Sequence, residues 1–260
     1  MLLACLALAS AGCGSEQVRS DPPAQQHRAT ATVLESPEHG PELCLGGQQD
    51  SYPPQCGGVP LPNWDWDAVD DEESANGTTW GAYTVVGTFD GTSLTLTEPP
   101  RRPEPSGASP VPDRFTSPCA EPEPPTGTAP RGVDGVGPAA ERARTLPDHA
   151  GLWLTGDLLN VAFTGDPARH RSALREVWGG PLCLVRHERT LAELRAVQDE
   201  LFGRAAAELG LSPTYASVDE VGNVVELGVF AVDDAQQAAL DARYGSGTVR
   251  VLPGLQPEPG

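Results

Sequence analysis

Two residue types are absent from this chain, lysine and isoleucine. All 17 residues counted as lysine or arginine are therefore arginines, and the aliphatic side chains available for a core are leucine, valine and alanine. A chain without lysine cannot form a lysine Schiff base, a lysine-dependent phosphate loop or a Ser-x-x-Lys nucleophile. The absence excludes the enzyme classes that depend on those three devices.

Positive charge is scarce as well. The 17 arginines are set against 36 aspartates and glutamates, which gives a formal net charge of −19 at pH 7. Nucleic acid and anionic lipid headgroups repel such a chain. The charge therefore excludes nucleic acid as a partner and predicts that any membrane association depends on a covalent lipid.

Catalytic and metal-binding motifs are also missing from the sequence. The histidines form no i, i+4 pair and no H-E-x-x-H motif, and no Gly-x-Ser-x-Gly elbow occurs. They are His27, His39, His149, His170 and His187. The carboxylates are too numerous for an acid–base pair to be recognised among them. We therefore expect a non-enzymatic protein with no catalytic residue, cofactor or metal.

The clearest alternation of strand and helix patterns lies in residues 151–254. Apolar runs bounded by turn residues predict strands, and apolar residues at helical spacing predict helices. The predicted strands are Leu158–Phe163, Leu182–Val185, Tyr215–Val218, Val224–Phe230 and Val249–Leu252. The predicted helices are Pro167–Trp178, a long helix from Thr190 to Gly210, and one from Asp233 or Asp234 to Tyr244. From Leu182 onward this order predicts a ferredoxin-like split βαβ domain with an extra leading βα unit, and so an α+β fold.

Two local signals in this region are specific. Thr190 followed three residues later by Glu193 is a capping box, which predicts the start of the long helix. Gly222 and Asn223 lie between two strand patterns and can adopt the positive φ of a hairpin turn. An antiparallel strand pair is therefore expected around them.

The same region resembles the pro-region of secreted serine proteases of the streptogrisin and α-lytic type. The resemblance rests on Val161–Asp166, on Val185–Leu194, and on Val218–Asp219 followed by Asn223–Val225. It covers Leu158–Leu252 and carries no active-site residue. In that family the pro-region is a folding chaperone and inhibitor of its protease, so the resemblance implies the same role and a secreted protease as partner.

The first thirty residues predict export. Residues 1–12 are apolar and predict a signal peptide, and Ser10–Cys13 places small residues before a cysteine, as in a bacterial lipobox. We expect Cys13 to be lipidated, with palmitate among its acyl groups, and residues 13–30 to tether the protein to the outer face of the cell membrane. The pattern resembles the secreted lipoproteins of actinobacteria. An ordinary cleaved signal peptide and a cytoplasmic protein with an apolar start are the alternatives.

Residues 31–98 carry strand-like patterns and predict a small all-β domain, either OB-like or a sandwich. The expected strands are Thr30–Leu34, Glu42–Leu45, Val59–Trp66, Trp80–Thr88 and Ser93–Thr97. Cys44 and Cys56 bracket a short loop with two prolines, which in an exported protein favours a disulfide.

Two further features of this domain have alternative interpretations. The acidic segment Asp65–Glu73 has enough carboxylates for calcium but lacks the glycine and spacing of a calcium loop, so it is either a cation site or a solvated loop. The aromatic residues form either a ligand platform or part of the core. They are Trp64, Trp66, Trp80 and Tyr83.

Residues 99–150 are rich in proline and predict a semi-rigid, extended connector between the two domains. Cys119 lies in this connector and Cys183 on a predicted strand, and neither has a nearby partner in sequence. Because a free thiol is reactive outside the cell, we expect the two to pair with each other. That bond would fix the connector against the C-terminal domain.

These observations support two functions from different classes. The first is a lipid-anchored protein of the cell envelope that binds a partner without catalysis. The second is a stand-alone inhibitor or folding chaperone of a secreted serine protease.

Overall fold

The computed structural model describes residues 25–49, 51–104 and 114–258. Cys13, the predicted signal peptide and most of the predicted tether lie outside these residues. Across the described ranges, none of the helices has the length and apolar character needed to cross a bilayer.

The described chain forms fifteen strands and five α-helices. The strands are β1 (Gln26–Ser36), β2 (His39–Leu43), β3 (Gln48–Gln49), β4 (Gln55–Cys56), β5 (Val59–Pro60), β6 (Glu73–Ala75), β7 (Thr78–Phe89), β8 (Leu94–Leu96), β9 (His149–Thr155), β10 (Leu158–Phe163), β11 (Leu182–Arg186), β12 (Pro213–Asp219), β13 (Val224–Val229), β14 (Val249–Pro253) and β15 (Gln256–Pro257). The helices are α1 (Val133–Thr145), α2 (Arg171–Arg175), α3 (Leu191–Phe202), α4 (Arg204–Glu208) and α5 (Asp234–Tyr244), with short 3₁₀ turns at Trp66–Ala68 and Pro167–His170.

An antiparallel sheet forms the N-terminal lobe, which we define as β1–β8 together with β15. Its strand order is β5-β2-β1-β7-β6, with β8 paired to β7 and β15 to β1. The long strands β1 and β7 pair from Gln26 opposite Thr88 to Glu35 opposite Thr79. The predicted N-terminal β unit is confirmed as an antiparallel sheet. Its assignment as OB-like or sandwich stays a prediction.

β1 begins inside the segment that we expected to be tether. Gln26, Arg28 and Thr30 are exposed while Ala29 is buried, which is the period of a strand with one solvated face. The sequence there is polar because only one face contacts the core. Its pairing with β7 therefore could not be recognised from hydrophobic runs.

The C-terminal lobe, α1 to β14, contains two three-stranded mixed sheets with the same connectivity. In the first, β10 pairs antiparallel with β9 and parallel with β11. In the second, β13 pairs antiparallel with β12 and parallel with β14. Each sheet follows a helix and closes through a helical crossover, so the lobe consists of two α-β-β-α-β units.

This arrangement differs from the expected ferredoxin-like sheet. The strand at Leu182–Arg186 was expected to join the later strands, but it pairs with β10, with Leu182 opposite Leu159. The prediction missed β9, which supplies the hairpin partner of β10 and completes a separate sheet. It also missed α1, which lies in the predicted proline-rich connector. The lobe therefore begins well before residue 151.

Several local predictions are confirmed. Thr190 and Glu193 form the capping box of α3, Asp233 caps α5, and Asn223 has φ +53° in the turn between β12 and β13. The long helix predicted from Thr190 to Gly210 is instead interrupted at Gly203, where the backbone leaves helical geometry. Glycine is the poorest helix former apart from proline, which explains the break.

The end of the chain connects the two lobes. After β14 the chain returns to the N-terminal sheet, where β15 pairs with β1. Leu255 is 1% exposed and belongs to the N-terminal core, together with Val33, Val85 and other residues of that sheet. Leu255 and β15 therefore tie the end of the C-terminal lobe to the N-terminal core, and the chain crosses the domain boundary expected at residue 254.

Candidate functional site

The cysteines are joined as the sequence predicted. Cys44 bonds to Cys56 with 5.6 Å between Cα atoms, and Cys119 bonds to Cys183 with 5.9 Å. Next to the second bond, Glu123 exchanges two backbone hydrogen bonds with Leu182, at 2.8 and 3.1 Å. This part of the connector therefore lies along the edge of β11, and the bond holds it there.

The acidic segment Asp65–Glu73 lies at the surface of the N-terminal lobe. Asp65 caps the short 3₁₀ turn by accepting a hydrogen bond from the Asp67 amide at 3.0 Å, and Asp71 forms an ion pair with Arg102. Among the described residues, no group of three or more histidine, cysteine, aspartate or glutamate side chains is arranged to hold a metal ion. The carboxylates of this segment are solvated.

The aromatic residues of the N-terminal lobe pack on its core. Trp80 and Tyr83 are buried, 8% and 2% exposed. Trp64 and Trp66 are half-buried and contact the same core, with ring centroids 5.2 Å apart in an edge-to-face arrangement. The indole of Trp66 donates to Glu35 Oε2 at 2.6 Å. Trp80 and Tyr83 are therefore buried, as the interpretation as core predicted. Trp64 and Trp66 are half-buried and lie over the core.

The candidate site is a cavity of about 580 Å³ between the two lobes, which we call the interlobe cavity. On the side of the N-terminal lobe it is bounded by the start of β1, the β7–β8 hairpin and β15. On the side of the C-terminal lobe it is bounded by the turn before β12 and the segment that leads into α5. Its lining residues are Gln25, His27, Phe89, Gly91, Gly210, Ser212, Phe230, Ala231, Val232, Asp233, Asp234, Gln236 and Pro257. No sequence pattern pointed to it, because these residues come from five separate parts of the chain.

One wall of the interlobe cavity is apolar and aromatic. Phe230 and Ala231 follow β13 and pack against the N-terminal core, as does Phe89 from β7. His27 meets the Phe89 ring edge-on, with centroids 6.4 Å apart. The Nδ1 atom of His27 is buried and has no hydrogen-bond partner. Burial lowers the pKa of His27, so its ring is uncharged at neutral pH.

A second part of the lining, the polar wall, belongs to the start of α5. Asp233 accepts a hydrogen bond from the Gln236 amide at 2.7 Å, and the Asp233 amide donates to Gln236 Oε1 at 3.0 Å. The Gln236 side chain also donates to the Gly210 carbonyl at 2.8 Å, which ties the turn before β12 to the helix. Asp234 is exposed at the rim. These contacts fix the polar wall without a ligand.

A second, charged cavity of about 400 Å³ lies between the two C-terminal sheets. Glu226 is 7% exposed in a strand whose other residues are apolar or glycine. Arg250 donates to Glu226 Oε1 at 3.2 Å and to Asp219 Oδ2 at 3.1 Å, and Arg114 also bonds to Glu226. Sequence reasoning missed this network, although a lone carboxylate inside an apolar strand was a signal that could have found it.

Comparisons of the chain with protein-family models, with curated proteins and with solved structures found no match. The chemistry of the interlobe cavity must therefore be interpreted from its own residues. A cavity of this size between two lobes, with an aromatic wall and a few fixed polar groups, is typical of a small-ligand site. It has the groups to bind and orient a ligand.

Proposed function

We propose that this protein is a lipid-anchored binding protein of the cell envelope and that the interlobe cavity is its ligand site. The cavity is the observation that carries the proposal. Ligand pockets usually measure about 300–1,000 Å³ and often lie between domains, where two surfaces meet without filling the space between them. The interlobe cavity has both properties.

The surroundings of the cavity support a preformed site. Leu255 is buried in the N-terminal core, and the Leu255 amide donates to the Phe230 carbonyl at 2.8 Å, directly beside the cavity. Arg28 pairs with Glu258 through two hydrogen bonds of 2.6 and 2.7 Å across the β1–β15 contact. These links hold the lobes in register, so a ligand loses little binding free energy in organising the protein.

A test of the ligand site is native mass spectrometry of the full-length protein isolated from the envelope. We expect a bound small molecule on the wild type and its loss in Ser212→Trp, because an indole at this exposed lining position would fill the mouth of the cavity. An unchanged thermal unfolding midpoint serves as the control for folding. A wild-type protein without adduct, and without a response to any member of a fragment library, would contradict the proposal.

The proposed anchor is the lipid on Cys13, supported by the small residues before it and by two disulfides, which are stable in an oxidising compartment. Mass spectrometry of the membrane fraction should find a diacylated N-terminus at Cys13. In Cys13→Ala the protein should leave the membrane fraction. Recovery of an intact Met1 would refute the anchor and leave the ligand site untouched.

A second candidate function is inhibition or folding of a secreted serine protease. One observation favours it: on the sheet face opposite the helices, Tyr215 and Leu252 flank Gly228 in register and are 41% and 37% exposed. An apolar row of this kind across three strands suits a protein partner. Micromolar binding requires about 8 kcal/mol, which a standard interface can supply.

The full chain should then inhibit a streptogrisin-like protease at micromolar concentration, and Tyr215→Ala combined with Leu252→Asp should weaken the inhibition at least tenfold. A double substitution of the exposed residues Asp199→Asn and Glu200→Gln on α3 is the control. Absence of inhibition at high micromolar concentration across several such proteases would exclude this candidate.

A further inference from the structure

We infer that the interlobe cavity selects an organic cation, an ammonium group carried on an aromatic or aliphatic body, and discriminates against anions. The inference rests on the proposed ligand site and adds the chemical class of its ligand. It follows from three properties of the lining: the aromatic wall, the carboxylates of the polar wall, and the lack of a charged base among the described lining residues.

The aromatic wall offers a surface for both parts of such a ligand. Phe89 and Phe230 present aromatic rings, and Ala231 and Val232 add aliphatic contact. The faces of aromatic rings attract cations and bury apolar groups, so a ring or alkyl body with an attached ammonium matches this wall. His27 stands at its edge as an uncharged ring, so it adds no positive charge.

The polar wall carries negative charge where a helix start would otherwise favour an anion. The N-terminus of α5 exposes backbone amides and the positive end of a helix dipole. Here the Asp233 carboxylate accepts from one of these amides, that of Gln236, at 2.7 Å, and Asp234 adds a second carboxylate in the first turn. Both aspartates line the cavity, so the helix start contributes negative charge to it.

Among the residues that the structure describes, no arginine lines the cavity. Arg28 is adjacent to His27 in sequence, but on a strand successive side chains point to opposite faces. Its guanidinium is engaged by both carboxylate oxygens of Glu258 at 2.6 and 2.7 Å. In the described lining an anionic ligand would therefore meet two carboxylates and no available counter-charge.

The test uses three probes of similar size that differ in charge: 2-phenylethylammonium, 2-phenylethanol and phenylacetate. Each is titrated into the full-length protein at pH 7.5 and low salt, with binding followed by ligand-detected NMR. We expect the cation to bind about three- to tenfold more tightly than the anion, which is the difference that one or two partly exposed charge contacts produce. The affinity of the alcohol should lie between the two.

The matched variant is Asp233→Asn with Asp234→Asn. Asparagine caps helices as well as aspartate does, so this variant removes charge but keeps the start of α5. The preference for the cation should fall to less than about twofold, while binding of the alcohol stays unchanged. Asp199→Asn with Glu200→Gln, on the exposed face of α3, removes the same charge elsewhere and should leave the preference intact.

The possible outcomes separate the two proposals. If none of the three probes binds to the wild type, the assigned ligand class is wrong, and the adduct and fragment measurements decide the ligand site itself. If all three bind and phenylacetate binds as tightly as the cation, the site stands and the charge selectivity is wrong. A cation preference that survives in the Asp233→Asn, Asp234→Asn variant would overturn the assignment of these carboxylates. The inference is supported if the preference for the cation is lost in the Asp233→Asn, Asp234→Asn variant and kept in the Asp199→Asn, Glu200→Gln control.

Discussion

Glu226 is the residue whose burial depends most on distant partners. It occupies the middle of β13 with 7% exposure, and an unpaired carboxylate in such a place costs several kcal/mol. Two arginines from different parts of the chain, Arg114 and Arg250, bond to it, and both also reach Asp219. The side chains of these arginines are about half exposed, so each contact alone contributes modestly.

This sharing predicts non-additive substitutions. Arg114→Ala and Arg250→Ala should each lower the free energy of unfolding by under about 1 kcal/mol, because the other guanidinium still pairs with Glu226. The double variant should lose about 3 kcal/mol, since the buried carboxylate then has neither partner. Urea unfolding measures all three, with the exposed Arg204→Ala as control. Strictly additive losses would contradict a shared role.

A half-buried histidine makes the stability depend on pH. His187 stacks on Trp153 with centroids 5.9 Å apart, and its Nδ1 is buried without a partner. Burial lowers the pKa of His187, and the Asp219 carboxylate offsets this only in part. The unfolded chain therefore takes up the proton first, and stability is lost as pH falls below about 6.5 toward the lower pKa of the folded state.

We expect His187→Phe to flatten this dependence. Between pH 7.5 and 5 the wild type should lose stability, and the variant should lose less because one proton uptake by the unfolded chain is removed. Urea unfolding at half-unit intervals of pH measures the slope. Equal slopes in the two proteins would show that His187 is not responsible.

Among the elements, α1 shows how closely a helix of small residues can pack. Gly135, Ala139 and Ala143 are buried on one face and contact the core that contains Trp178. A Cβ at Gly135 would lie 2.7 Å from the Pro130 carbonyl oxygen and 2.9 Å from the Trp178 ring. At Gly137, on the exposed side, a Cβ would meet nothing within 4 Å.

The two glycines of α1 should therefore respond differently to the same substitution. Gly135→Ala should destabilise the protein by about 1–3 kcal/mol through overpacking. Gly137→Ala should change the stability by under about 1 kcal/mol, because the better helix propensity of alanine is offset by the contact of its Cβ with Pro138, the next residue. Thermal and urea unfolding give both values, and each variant is the control for the other. An equal loss in both variants would contradict the packing described.

For the whole molecule, the two disulfides close loops of very different length. The first joins cysteines 12 residues apart and the second joins cysteines 64 apart. Loop-closure entropy predicts that removing the first disulfide, by Cys44→Ser with Cys56→Ser, lowers the free energy of unfolding by about 3 kcal/mol. Removing the second, by Cys119→Ser with Cys183→Ser, should lower it by about 4 kcal/mol. The second pair should also raise hydrogen exchange at Glu123, which hydrogen-bonds to β11. A larger cost for the short loop would contradict this order.

The sequence by itself determined the local features of this protein. The capping box at Thr190, the turn at Asn223 and the Asp233 cap each depend on residues within four positions, and all three form as predicted. The cysteine pairing was also accessible, because four cysteines in two contexts leave few combinations. Hydrophobic patterns located most of the strands, since a strand with one buried face repeats every second residue.

Only the tertiary structure decided which elements meet. A strand pattern shows which face is buried but not which neighbour covers it, so the pairing of β11 with β10 and the return of β15 to β1 were not predictable. The helix α1 has too little apolar surface to be recognised until its small face is seen against Trp178. The interlobe cavity brings His27, Phe89 and Asp233 together across more than 200 residues of chain, and that proximity exists because Leu255 is buried in the N-terminal core.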